Sequence, residues 1–177
     1  MKKKLAIIIY LFIIIITFCK DIEIKNFYKV NNDLYRAAQP GKIEFKELEK
    51  LGIKSVLNLR ILHSDSDEAK ETALKLYHVR MRAGNIDDKG IIDALKVIKD
   101  APKPILVHCL HGSDRTGAVI AMYRIIFENY TKEKAILELR EKKYGYHETI
   151  YKNIIEYIQN CDIEKIKKSI FLKEVSK

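Results

Sequence analysis

The sequence predicts an α/β domain with a largely parallel central sheet flanked by helices. Two patterns support this prediction: short apolar runs alternate with amphipathic stretches up to residue 109, and the remaining residues show helical periodicity alone. At 177 residues the chain can form one domain with a full hydrophobic core and is too short for two ordinary domains. We therefore expect a single folded domain over residues 21–177.

The first half of this domain is predicted to contain four strands and three helices. In chain order they are a strand at 34–36, a helix at 43–51, a strand within 53–60, a helix from an N-cap at Ser66 through Leu76, a strand at 77–81, a helix at 91–99 and a strand at 104–109. Apolar residues spaced for one helix face indicate each helix, and Gly52 and Pro102 lie where two of them end. The last strand, PILVHC, is the best candidate for the centre of the sheet.

The second half is predicted to be entirely helical, with helices at 116–129, 131–143, 148–160 and 163–174. Gly145 is a natural C-cap for the second of these helices. The last helix has isoleucines at 163, 166 and 170 on one side and lysines on the other. Such a stripe indicates docking against the core, with adhesion to a membrane surface as the alternative.

An export segment is predicted at the N-terminus. Three lysines precede fourteen largely apolar residues, 5–18, in the order typical of a secretory signal. Because roughly 20 residues are needed to span a bilayer comfortably, we interpret residues 1–20 as a signal peptide or a short membrane anchor. A buried core helix is the alternative, which the absence of a polar face disfavours. Cleavage, lipidation at Cys19 and retention all stay open, and in each case the domain is predicted to be exported, either periplasmic or anchored facing away from the cytoplasm.

The charge balance is basic but does not by itself indicate a partner. The chain has a net charge of +9, and removing residues 1–19 with their three lysines leaves 30 basic against 24 acidic residues, a net charge of +6. This surplus favours anionic partners only weakly, and no nucleic-acid partner is predicted. Membrane attachment is expected only through the N-terminus, and the sequence does not predict an oligomeric state.

The three cysteines, Cys19, Cys109 and Cys161, are too few for a disulfide scaffold. We interpret Cys109 as a reactive thiol. The alternative is a disulfide between Cys109 and Cys161 in an oxidising compartment, which would silence the thiol reversibly.

The stretch VHCLHGSDRTG, residues 107–117, carries the candidate chemistry. If a strand ends at Cys109 and a helix begins near Arg115, the residues between them form a tight loop whose backbone N–H groups point inward, which is an anion-binding nest. Arg115 can donate two parallel hydrogen bonds to a phosphate. The same donors stabilise a thiolate, so Cys109 is predicted to be ionised before a substrate arrives.

The other residues of this stretch have supporting roles. Gly112 suits the reversal at the tip of the loop, and Gly117 permits close packing of the helix start. Thr116 can offer its hydroxyl to the sulfur, and His108 is expected to order the loop by hydrogen bonding. His111 either contacts substrate or is solvated. A zinc site formed by Cys109 and its neighbouring histidines is the metal alternative, which the absence of a second ligand cluster disfavours.

The segment HCLHGSDRTG resembles the signature loop of the cysteine-dependent protein tyrosine phosphatases, in their dual-specificity branch. Three further stretches resemble bacterial members of that branch, some of which are exported: LYRAAQP, LGIKSVLNLR and AMYRIIFENYTKEKAILEL. The resemblance therefore covers residues 26–158. It implies a protein tyrosine phosphatase-like fold for the domain at 21–177. It also implies that Cys109 attacks phosphorus, that Arg115 holds the phosphoryl group, and that water then releases phosphate from a phosphocysteine, with no metal or other cofactor.

The resemblance further implies a general acid, usually an aspartate on the loop before the helix that precedes the signature strand. That loop is RAGNIDDKG, residues 82–90, and its first aspartates come later than the position where exported relatives place the acid. The candidates are Asp87 and Asp114. One of Asp87 and Asp88 could instead N-cap the following helix. Asp114 precedes Arg115 as an aspartate does in myotubularin-type phosphatases, and it could instead orient Arg115 or cap the next helix.

The loop composition bears on the substrate. The residues predicted to bind it are Leu110, His111, Gly112, Ser113, Asp114, Arg115 and Thr116. Because this set has no fixed cation besides Arg115, and an aspartate repels further phosphates, phosphotyrosine or another ester with one phosphate is favoured, on a protein or on a small molecule. Arg80 and Arg82 could supply positive charge from outside, which keeps a phosphoinositide or inositol phosphate substrate open.

Two alternatives to a phosphatase come from other functional classes. A non-catalytic phosphate-binding module would also use the nest and Arg115, but the intact Cys109 disfavours it. A rhodanese-like sulfurtransferase would also place a cysteine loop beside a helix, and the RTG after the loop disfavours it.

Overall fold

The computed structural model describes residues 23–172. The predicted export segment with Cys19 and the chain from 173 onward lie outside the described residues. Between residues 23 and 172, no helix is both long and apolar enough to cross a bilayer.

The sheet has five strands in the order β1-β2-β5-β3-β4. They are β1 (Tyr28–Lys29), β2 (Leu34–Ala37), β3 (Ser55–Asn58), β4 (Lys75–His78) and β5 (Ile105–His108). Only the short edge strand β1 pairs antiparallel, and the other pairings are parallel. The predicted fold class is confirmed, and so is the central place of β5, which lies between β2 and β3.

Six α-helices and one 3-10 turn complete the described part of the domain. The helices are α1 (Lys42–Lys50), α2 (Asp88–Asp100), α3 (Asp114–Phe127), α4 (Lys132–Leu139), α5 (Lys152–Asn160) and α6 (Ile163–Phe171), and the 3-10 turn is Lys142–Tyr144. All four residues of β5 are buried because helices cover both faces of the sheet. Ile105 and Val107 face the larger core with α2, whereas Leu106 faces a smaller core with Phe45 of α1.

The helix predicted from Ser66 to Leu76 is wrong. Residues 65–72 form successive turns, and the strand predicted at 77–81 begins earlier, at Lys75. Within this segment only Asp65, Ala69 and Leu74 are buried, which is too few for the apolar face of a helix. Asp65 directs its carboxylate into the protein, where it bonds to side chains of β3 and β5. The segment is therefore held by buried polar contacts and not by helical packing.

The remaining helices agree with prediction apart from their ends. α3 begins two residues earlier than expected, the helix predicted at 131–143 stops at Leu139, and the one predicted at 148–160 begins at Lys152. Gly145 ends the 3-10 turn in the left-handed conformation, φ 62°. In α6 the predicted stripe docks on the core, with Ile166 and Ile170 buried.

Candidate active site

The C-terminal edge of the sheet places the candidate nucleophile. Ala37, Asn58 and His108 are paired across the parallel strands β2, β3 and β5, so the chain segments that follow them emerge at one edge. Cys109 comes directly after β5 and is 1% exposed. Five residues separate it from Arg115 in the first turn of α3, as the sequence predicted.

The carbonyl groups of the loop all point outward to hydrogen-bond donors. Each carbonyl oxygen of residues 109–113 contacts one nitrogen. The pairs are Cys109 with His108 Nδ1 at 3.2 Å, Leu110 with Gln39 N at 3.2 Å, His111 with Asn26 Nδ2 at 2.7 Å, Gly112 with Arg36 Nη2 at 2.8 Å, and Ser113 with Gly117 N at 2.8 Å. In a planar trans peptide the C=O of one residue and the N–H of the next point in opposite directions. The N–H groups of residues 110–114 therefore point away from these donors and into the loop.

These inward N–H groups form an anion-binding nest. No hydrogen bond among the described residues uses a backbone N–H of residues 110–116. The N-terminus of α3 adds its dipole to the same spot. Unpaired donors on the inner side of a loop stabilise an anion bound within it, as predicted from the loop sequence.

Two glycines allow this geometry, and both predicted roles are confirmed. Gly112 has φ 72°, and a Cβ there would lie 2.5 Å from the backbone carbon of Ala37. A Cβ on Gly117 would lie 2.5 Å from Cδ1 of Leu139 in α4. At Gly112 backbone atoms leave no room for a side chain, whereas at Gly117 a side chain would first have to displace the end of Leu139.

Arg115 lines a cavity of about 400 Å³ beside the loop. The cavity is lined by Arg60, Ile61, Leu62, His63, Leu110 and Arg115. The Nε of Arg115 is buried and has no hydrogen-bond partner in the described chain. A free guanidinium donor at one end of a partly apolar cleft suits a phosphate group attached to an apolar or aromatic body.

His108 is bound by a buried aspartate that the sequence analysis did not identify. His108 is fully buried and its Nε2 lies 2.8 Å from Oδ2 of Asp65. Burial opposes ionisation of Asp65, but the hydrogen bond and charge of His108 outweigh it, so the pKa of Asp65 is below its usual value. Asn58 and Gln39 also donate to Asp65 Oδ1. The predicted ordering role of His108 agrees with this network.

Arg36 is a second unexpected buried polar residue. It is 1% exposed, donates to the Gly112 carbonyl and stacks on the ring of Tyr144 at 3.9 Å. Burial lowers the pKa of Arg36, partly offset by the charges around it, including that of Cys109. The side chain therefore holds one peptide of the nest and adds positive charge behind the sulfur.

The two candidate acids occupy different environments. Asp87 N-caps α2, its Oδ1 accepting the N–H of Gly90 at 2.7 Å, which confirms the capping role. Asp114 is 5% exposed and accepts both the backbone N–H and the ring of His147. Both oxygens of Asp114 thus contact His147, whereas Oδ2 of Asp87 makes no hydrogen bond within the described residues.

Thr116 and the histidines depart in part from expectation. The hydroxyl of Thr116 is buried without a hydrogen-bond partner in the described chain, so the predicted bond to the Cys109 sulfur is not formed. His111 is exposed, and its ring contacts that of His147 at 5.9 Å. Among the described residues, the cluster able to hold a metal is His111, Asp114 and His147, with ligand atoms within 4.8 Å. The zinc alternative at Cys109, which the sequence disfavoured, is not this cluster. Three lysines in the adjoining cavity oppose a dication there.

Cys161 is remote from the loop in the described fold. Both described cysteines are free, and Cys161 Sγ lies 4.0 Å from Sδ of Met122. Met122 is eight residues beyond the start of α3, or about 12 Å along the helix axis. The alternative of a Cys109–Cys161 disulfide is therefore not formed in this structure.

We expect iodoacetate to label Cys109 before Cys161. Burial raises the pKa of the Cys161 thiol and so lowers its reactivity at neutral pH, whereas the unpaired N–H groups of residues 110–114 attract the anionic reagent to the loop of Cys109. Peptide mapping after limited alkylation at pH 7 measures the order, and inorganic phosphate should protect Cys109. Equal labelling of the two cysteines, unaffected by phosphate, would contradict the nest.

Two of the residues that support the loop, Arg36 and Asn58, could have been identified from the sequence. Arg36 and Asn58 interrupt otherwise apolar strands, and a buried polar side chain in a central strand must find a partner. That rule could have marked both residues as supports of the adjacent loop. Asn26 and Asp65 stand in polar segments, where no such contrast exists.

Comparison with known proteins agrees with this geometry. The model of the tyrosine phosphatase family matches residues 21–174. The dual specificity protein phosphatase TpbA of Pseudomonas aeruginosa is 27% identical over 144 residues, which is 80% of this chain and 65% of TpbA. The inositol diphosphatase SIW14 of Saccharomyces cerevisiae is 29% identical over 152 residues, 80% of this chain and 54% of SIW14. The chain thus spans less than two thirds of the length of these two curated relatives.

The fold is likewise similar to a solved structure. The crystal structure of P. aeruginosa TpbA in complex with pTyr superimposes with a TM-score of 0.75 at 26% identity, over 82% of this chain and 90% of that one.

Proposed function

The chain belongs to the tyrosine phosphatase family, and we propose that it hydrolyses phosphate monoesters, phosphotyrosine first among them, through a phosphocysteine on Cys109. The observation that carries this proposal is the loop after the buried Cys109, in which five carbonyls point outward and the N–H groups of residues 110–114 therefore point to its inner side. A nest of this kind can stabilise the thiolate of the free enzyme and then bind the oxygens of the phosphoryl group.

The proposed reaction has two displacements at phosphorus. The Cys109 thiolate attacks phosphorus, an S–P bond forms, and the bond between phosphorus and the ester oxygen breaks, while a general acid protonates that oxygen. Water then attacks the phosphocysteine, inorganic phosphate leaves, and the thiolate is regenerated. Arg115 and the N–H groups of residues 110–114 bind the equatorial oxygens in both steps.

Phosphotyrosine is favoured by the cavity beside Arg115. Ile61, Leu62 and Leu110 give it apolar walls, and Leu62 is 97% exposed at the rim. An aromatic ring would cover these side chains while its phosphate reaches the nest. The relative TpbA, named as a dual specificity phosphatase and crystallised with pTyr, supports the same choice.

An inositol phosphate is the second candidate substrate. The relative SIW14 is named as an inositol diphosphatase, and Arg60 adds a second cation to the cavity of Arg115. Arg80 and Arg82, which the sequence suggested for this role, lie beyond β4 and are exposed.

We further propose that the protein is exported, with residues 1–20 as its signal or anchor and its N-terminus as the site of any membrane attachment.

Stopped-flow hydrolysis of p-nitrophenyl phosphate tests the proposed activity. We expect a burst of p-nitrophenol equal to the enzyme concentration, because the first displacement forms a phosphocysteine that water must then clear. Rapid quenching should recover the phosphate on Cys109. Absence of turnover with intact phosphate binding would indicate a non-catalytic module, and transfer of sulfur from thiosulfate to cyanide would indicate a sulfurtransferase.

We propose Asp87 as the general acid in preference to Asp114, because one of its oxygens is free while both oxygens of Asp114 contact His147. Asp87→Asn is expected to lower kcat for phenyl phosphate by about a hundredfold. It should affect p-nitrophenyl phosphate far less, because that leaving group needs little protonation. A series of aryl phosphates measures this dependence.

Asp114→Asn is the matched comparison for Asp87→Asn. It should lower activity by a similar factor on every aryl phosphate, since the carboxamide can still accept from His147 but no longer carries charge. If instead the loss in Asp114→Asn grows as the leaving group becomes poorer, and that in Asp87→Asn does not, the assignment is reversed.

A further inference from the structure

A second cavity adjoins the loop and is basic. It has a volume of about 320 Å³ and is lined by Lys25, Asn26, His111, Ser113, Lys142, Lys143, Gly145 and His147. No acidic residue lines it. His111 and Ser113 belong to the signature loop itself, so a group bound in this cavity lies next to the phosphoryl site.

One partly buried side chain, that of Asn26, joins the segments around this cavity. Asn26 donates to the His111 carbonyl at 2.7 Å and lies within hydrogen-bond distance of Ser113 Oγ and the Tyr144 carbonyl, at 3.2 and 3.4 Å. Its φ of 56° lies in the left-handed region, which asparagine adopts more readily than most non-glycine residues. Asn26 thereby ties together the three chain segments that carry the lysines and the loop, which fixes their spacing.

Three lysines line this cavity, and one of them has a carboxylate partner: Lys143 Nζ lies 2.6 Å from Oε2 of Glu141. Lys25 and Lys142 form no ion pair with any described residue. Two uncompensated ammonium groups over a pocket without carboxylates attract an anion.

We propose that this cavity is a second anion subsite, so that the preferred substrates carry a second phosphate or carboxylate beside the phosphate that is hydrolysed. The proposal rests on the phosphatase function proposed above and narrows its substrate class. The second anion would contact Lys25 and Lys142, in a cavity that His111 and His147 also line. Two kinds of substrate could supply this second anion. One is a phosphopeptide with acidic side chains or a further phosphate, and the other is a small molecule with a second phosphate.

The test is the double variant Lys25→Gln/Lys142→Gln in the full chain. For a phosphotyrosine peptide with acidic flanking residues we expect kcat/KM to fall about tenfold, and the loss should shrink at high salt. For p-nitrophenyl phosphate and a peptide with neutral flanks the change should stay under about twofold. A bisphosphorylated small molecule forms a parallel arm, and the arm with the larger loss identifies the source.

The control is Lys50→Gln/Lys70→Gln, which removes two exposed lysines that do not line the cavity. An equal loss in this control, or acidic and neutral substrates affected alike by the first variant, would overturn the subsite. Failure of the proposed activity is distinct, because the unaltered protein would then leave p-nitrophenyl phosphate intact.

Discussion

Replacement of Cys109 by serine is expected to lower kcat for p-nitrophenyl phosphate by at least about ten-thousandfold. A serine hydroxyl stays neutral at working pH, so the N–H groups of residues 110–114 would face a weak nucleophile in place of a thiolate. Because the two side chains are nearly the same size, the buried site should keep its packing. The measurement is steady-state turnover together with calorimetric binding of a phosphotyrosine peptide.

Binding separates loss of chemistry from loss of structure. We expect the serine variant to bind the peptide at least as tightly as the unaltered protein, since it removes a negative charge from the nest. Cys161→Ser is the matched control and should keep activity within about twofold, because Cys161 packs against Met122, remote from the loop. Residual turnover above one percent in Cys109→Ser would show that another group attacks phosphorus.

The sheet and the loop could be predicted because their determinants are local. A continuous apolar run forms β5, and the residues of the loop follow it without interruption. The backbone reversal at Gly112 needs only its own residue type, and Arg115 is recognised by its distance in sequence from Cys109. Local signals of this kind identify a nucleophile and its anion site without knowledge of the fold.

The supports of the loop could not be predicted because they are distant in sequence. Asn26 reaches the His111 carbonyl across 85 residues, and Arg36 reaches the Gly112 carbonyl across 76. The parallel pairing of β2 with β5 brings Arg36 to the loop, and the antiparallel pairing of β1 with β2 places the segment of Asn26 beside it. The missing helix after Ser66 has the same origin, since Asp65 is held by His108, 43 residues away.

The general acid is harder to identify from the sequence than the nucleophile. A capping aspartate and an acid aspartate have the same local sequence pattern, and only their hydrogen-bond partners distinguish them. Asp87 combines a capping bond to Gly90 with a free oxygen. The free oxygen is the feature that a sequence cannot show.

Arg115→Lys is expected to lower kcat by roughly a thousandfold while the fold remains intact. Lysine keeps the positive charge but replaces two parallel donors with one ammonium on a flexible stem, so the loss measures geometry and not charge. The N–H groups of the nest remain in place, held by the outward carbonyl contacts. Steady-state kinetics with p-nitrophenyl phosphate and circular dichroism provide the two readouts.

Arg60→Lys is the control in the same cavity. Arg60 already donates to Gln39 at 3.0 Å, so it is only partly available to a ligand. Its replacement should raise KM by no more than about tenfold and leave kcat nearly unchanged, because it lies outside the nest. If Arg115→Lys also changed KM alone, phosphoryl transfer would depend on the backbone N–H groups by themselves, and Arg115 would serve only to capture the substrate.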